Sequence, residues 1–97
     1  MFKIPSKVTV GLWPYNIVQR RVRSWKNLGA TSFATRAITV RTHEAMQQSE
    51  MSETFWHELT HVILHDMGSD LALDEKFVTA FSKRLTQAID SAEFDNE

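Results

Sequence analysis

Apolar and polar residues alternate along the first 42 residues of the chain, the period of half-buried strands. Lys7-Val8-Thr9-Val10-Gly11-Leu12 sends Val8, Val10 and Leu12 to one face. Pro14 and Asn16 then supply turn chemistry. A second run from Ile17 to Ser24 puts Val18 and Val22 on a common face, and Lys26-Asn27-Leu28-Gly29 breaks it. Gly29 to Phe33 forms a short, weaker extended piece. Thr35 to Thr42 is a clear strand, with Ile38 and Val40 facing one way and Thr39 and Arg41 the other.

From Glu44 the density of β-branched residues falls and the period lengthens. Ser49 or Ser52 can cap a helix over residues 49–67 whose first turn carries Glu50 and Glu53, the charge that a helix N-terminus favours. Its apolar set of Met51, Phe55, Trp56, Leu59, Val62, Ile63 and Met67 makes a wide arc, which predicts a largely buried helix. Gly68 stands where a helix C-terminus favours glycine. A second helix is expected over residues 70–92, with Phe77, Val78, Phe81, Leu85, Ala88 and Ile89 on one face. The predicted class is α+β: a three- to four-stranded, mainly antiparallel sheet over residues 1–42, followed by two helices, in one domain spanning 1–97.

Composition narrows the classes. Leu, Ile, Val and Phe together make 25 of 97 residues, enough for a thin core in a small domain. With no cysteine there is no disulfide framework, thiolate zinc finger or thiol nucleophile. No apolar run approaches bilayer length and the opening residues lack a signal-peptide core, so the expectation is a cytoplasmic protein with no membrane partner. The net charge of −1 hides an asymmetry: every acid lies beyond residue 42, and eight of the 11 Lys and Arg lie before residue 43. The basic residues have no interleaved aromatic stacking positions, so nucleic acid is not the expected partner. Trp13, Trp25 and Trp56 are expected to pack in the core or on strands, and Met46, Met51 and Met67 to fill gaps in it.

The chemistry is concentrated in His57-Glu58-Leu59-Thr60-His61, an HExxH on the first helix. Residues four apart share a helix face about 6 Å apart along the axis, so two imidazoles can converge on one metal. Glu58 lies about 100° round the helix, from where it can reach a water at the metal and act as general base. A zinc hydrolase needs a third protein ligand. His65 continues the spacing, but it stands about 12 Å along the axis from His57. The candidates are therefore acids at the start of the second helix, Asp70, Asp74 and Glu75. Asp74 can instead serve as a cap, and Glu75 as an ordinary first-turn acid.

These stretches resemble the minimal gluzincin-type zinc metallopeptidases, the very short HExxH proteins of bacteria and their phages. The segment from Glu53 to Gly68 is similar to their active-site helix, and Glu75-Lys76-Phe77-Val78-Thr79-Ala80-Phe81-Ser82 to the helix that follows. Ile4-Pro5, Val8, Val10-Gly11 and Tyr15 resemble the opening strands. The resemblance implies a small zincin-like fold with one Zn2+ per chain held by His57, His61 and Glu75. It also implies a metalloendopeptidase in which Glu58 takes a proton from the attacking water and passes it to the leaving amine. The expected partner is a peptide or protein substrate, paired with an edge strand resembling Gly29-Ala30-Thr31-Ser32-Phe33, with Gly29, Ala30 and Thr31 as binding residues. The chain departs from the larger gluzincins in lacking an evident oxyanion-stabilising His or Tyr, for which Tyr15, His43 and His65 are the residues available. Metal binding is thus a firmer expectation than efficient turnover, and a latent or weakly active enzyme fits. A non-catalytic zinc-stapled binding or regulatory module is the rival, and a nucleic-acid-binding domain stands behind it. The expected state is a monomer or weak homodimer.

Overall fold

The computed structural model describes residues 3–23 and 26–95. Four strands come first: β1 (Lys7–Val10), β2 (Trp13–Arg21), β3 (Gly29–Ser32) and β4 (Ala37–Thr42). Helix α1 (Gln48–Asp66), a 3-10 turn over Asp70–Leu73 and helix α2 (Glu75–Ser91) follow. No helix among the described residues is long and apolar enough to cross a membrane.

The β1–β2 hairpin turns earlier than its sequence suggests. Val10 pairs with Trp13, so the turn is Gly11-Leu12, and Gly11 takes a φ of 62°, which glycine adopts without strain. Pro14 and Asn16 consequently lie inside β2. Proline is tolerated because the Thr9–Pro14 pair falls one step from the turn's hydrogen-bonded pair, where the hairpin needs no N–H from it. The strand therefore buries Tyr15 and Ile17, whereas the face that carries Val18 is exposed. Ser24 and Trp25 lie outside the described residues.

The sheet is mixed rather than simply antiparallel. Its order is β1-β2-β4-β3, with antiparallel outer pairs and a parallel central pair, β2 with β4. After β2 the chain passes over one strand position, forms β3 at the far edge, and returns through a hairpin that inserts β4 beside β2. No strand-by-strand alternation encodes that insertion. Ile38 and Val40 are completely buried, as their alternation predicts, and with Tyr15 and Ile17 they meet Phe55, Leu59 and Val62 of α1. The opposite face carries Lys7, Arg20 and Arg41.

Helix α2 packs on α1 through a stripe that its hydrophobic pattern locates only in part, at Val78. The buried residues are Val78, Ser82 and Thr86, spaced four apart, while Phe81 is 47% exposed. Hydroxyls can be buried here because each finds a carbonyl of its own helix: Thr86 Oγ1 donates to Ser82 O (2.7 Å). The displaced Phe77, Phe81 and Leu85 instead border an apolar groove of about 260 Å³ with Trp56, Ile63 and Met67. Ile63 and Met67 are thus exposed, against expectation, whereas Trp13 packs on its strand rather than in the core, half exposed with its ring covered by the Arg36 guanidinium at 3.7 Å. Met46 is buried as expected.

Candidate metal centre

The HExxH lies mid-way along α1, where every backbone group is paired within the helix and side-chain directions are fixed. Both helix ends are firmly stopped. Gln47, rather than Ser49 or Ser52, is the N-cap, and its N–H donates to the Glu50 carboxylate (3.1 Å). At the other end Gly68 N–H donates to His65 O (3.0 Å) and Ser69 N–H to Leu64 O (2.9 Å), a Schellman closure with Gly68 at φ 69°.

That closure reverses the chain into the 3-10 turn, which in turn delivers α2. Asp74 caps α2, its carboxylate accepting from Phe77 N–H (3.0 Å). The cap role removes Asp74 from the ligand set, and Asp70 lies in the first position of the 3-10 turn, outside the cluster. Glu75, the first residue of α2, faces both histidines: Oε2 lies 3.1 Å from His57 Nε2 and Oε1 2.8 Å from His61 Nε2. One donor atom from each of His57, His61 and Glu75 falls within 4.8 Å of the others, close enough to hold a metal ion.

The hydrogen bonding favours a cation at this point. His61 Nδ1 contacts the Ala72 carbonyl, which can only accept, so Nδ1 carries the proton. In the neutral ring, Nε2 is then a bare lone pair facing the Glu75 carboxylate, acceptor against acceptor. Such a pair requires a proton or a metal ion to be attractive. Two imidazoles and one carboxylate form a donor set suited to zinc, with the main-chain contact on the outer nitrogen orienting the ligand ring. The Glu75 side chain is 70% exposed, which leaves the centre open on one side.

Glu58 is 8% exposed and lies against β3. Its Oε1 accepts from the Thr31 hydroxyl at 2.6 Å, and its Oε2 lies so near Gly29 that a Cβ there would stand 2.7 Å from it. Glu58 and Gly29 line a cleft of about 520 Å³ with the three candidate ligands and with Leu28, Glu50, Glu53 and Thr54. The sequence marks Glu50 and Glu53 only as first-turn acids, and it gives no sign of the Ala72 carbonyl, since any residue supplies one. Of the expected strand residues, Gly29 and Thr31 face Glu58, while Ala30 alternates to the other side of the strand.

The three possible oxyanion helpers do not line this cleft. Tyr15 is buried in the core, His65 stacks on Phe33 with ring centroids 4.0 Å apart, and His43 accepts from Ala45 N–H in the turn before α1. What the fold and site define is a small α+β protein with a candidate metal centre at the junction of a sheet edge and two helices. Compared with protein-family models, curated proteins and solved structures, the chain matches none.

Proposed function

We propose that this protein is a zinc-dependent peptidase in which His57, His61 and Glu75 hold the metal and Glu58 is the general base. The observation that carries the reading is the convergence of His57, His61 and Glu75 from two helices in one open cleft, with a nearly buried carboxylate beside them. Bound zinc supplies Lewis acidity, polarising a peptide carbonyl and making a water molecule a better nucleophile. The remaining work falls to the chain's own groups. Glu58 removes the proton from the attacking water and returns it to the departing amine. His61 is kept in one orientation by the Ala72 carbonyl, and Glu75 ties α2 to the centre. An extended peptide is held along β3, which ends the sheet.

The test is metal content and peptide hydrolysis of the purified chain beside Glu58→Gln. About one zinc per chain in both, with turnover of a fluorogenic peptide library confined to the wild type, is the expected result. A Glu58→Gln variant that cleaves as fast as the wild type overturns the mechanism.

A second reading, zinc as a structural staple in a binding module, draws on Glu75 joining the start of α2 to mid-α1 through two contacts. It predicts stoichiometric zinc, a strong loss of stability on chelation, and no hydrolysis of any peptide in the library.

A further inference from the structure

Strand β3 meets Glu58 with one face and leaves its outer edge free, and the same two residues serve both sides. Arg41 N–H donates to Leu28 O (2.7 Å), which sets the ladder between β3 and β4. Antiparallel alternation then directs the main-chain groups of Ala30 and Ser32 to β4, and those of Gly29 and Thr31 to the free edge. Meanwhile Thr31 Oγ1 donates to Glu58 Oε1 at 2.6 Å, and the absence of a side chain on Gly29 gives Oε2 its room. Glu58 is thus bedded on the strand segment whose N–H and C=O groups face outward.

We propose that Thr31 is a positioning residue for Glu58: its hydroxyl holds one carboxylate oxygen against β3, so that Oε2 is the atom left to take and return the proton. The proposal rests on the peptidase reading for its catalytic consequence, while the Thr31–Glu58 coupling stands apart from it. A charge-assisted O–H···O bond of this length is among the strong ones, and it restrains a side chain that otherwise has three rotatable bonds. Because the strand that seats the base also presents the main-chain groups for peptide pairing, a docked peptide and the proton acceptor are registered against the same two residues. A carboxylate held within a few tenths of an ångström is what separates an efficient base from one that is merely nearby.

The experiment compares wild type, Thr31→Val and Thr31→Ser as full-length chains. In the metal-free protein at fixed pH, the 13C resonance of the Glu58 carboxyl is assigned by its loss in Glu58→Gln. It is expected to move in Thr31→Val and return toward its wild-type position in Thr31→Ser. In the zinc-loaded protein, Thr31→Val is expected to lower kcat about 10- to 100-fold with KM and zinc content unchanged, and Thr31→Ser to recover most of it. An unmoved carboxyl resonance overturns the coupling whatever the activity. A moved resonance with unchanged kcat overturns the catalytic role, and so does a fall in kcat matched by lost zinc or lost fold. If the zinc-loaded wild type cleaves nothing, the peptidase reading and the catalytic role fall together, and the resonance alone decides whether Thr31 positions Glu58.

Discussion

A methyl group added at Gly29 would lie 2.7 Å from Glu58 Oε2 and 2.9 Å from Thr54 Cγ2, closer than carbon contacts allow. Glycine is needed here for close approach, since its φ is not among the positive values. Gly29→Ala is therefore expected to cost about 1–3 kcal/mol, the usual range for overpacking. The check is urea unfolding, where the midpoint should fall with the slope unchanged. His57, Glu58 and His61 were legible because helix periodicity alone puts them together. Thr31 was legible as a strand residue and, through the resemblance, as a substrate-binding one, but nothing local says that a hydroxyl at 31 meets a carboxylate at 58. Residue pattern alone left Asp70, Asp74 and Glu75 open, and only the resemblance pointed to Glu75. In the structure the cap separates them, because once Asp74 closes on Phe77 N–H the next residue is the one turned toward α1. The Ala72 carbonyl was illegible altogether, because a main-chain acceptor leaves no trace in residue identity.

Element boundaries follow the same division between local and remote causes. The stop of α1 at Gly68 was readable, as glycine alone takes that φ cheaply. The start of β2 was not: Pro14 reads as a turn unless its partner strand is known to need no hydrogen bond there. The face of α2 was located only in part, at Val78, because Ser82 and Thr86 count as polar, yet a hydroxyl bonded to its own helix is buried at little cost. The 3-10 turn and the cap at Asp74 together set where α2 begins, and hence where Glu75 points. Asp74→Ala should accordingly destabilise the fold by about 0.5–2 kcal/mol, the range for losing an N-cap. It should also weaken zinc binding, although the side chain is no ligand. Chemical denaturation in chelator reads the first effect, and a competitive zinc titration reads the second.

At the scale of the whole molecule, α+β was recoverable from the change of period near residue 44, whereas the mixed topology was not. Inserting β4 between β2 and β3 is a choice among sheet pairings that share one alternation pattern. Gly29 at the sheet edge, α1 and the first residue of α2 line one cleft, so a metal there would bind the folded chain and not the unfolded one. At free zinc about 100-fold above Kd, this linkage is worth about 2.7 kcal/mol. For a domain of this size that corresponds to a rise in Tm on the order of 10 °C. Calorimetry with zinc and with chelator measures it, and coincident melting curves would count against metal binding. One consequence of the double use of β3 concerns discrimination among substrates. Gly29 and Thr31 turn their side-chain positions inward to Glu58, so the edge they offer a peptide is made of amide groups alone. Amide pairing is blind to sequence, and selectivity comes from pockets instead. Preference among peptides would then be written by the side chains of the cleft walls, Leu28 and Glu53 among them, which the proton acceptor does not contact through any hydrogen bond among the described residues.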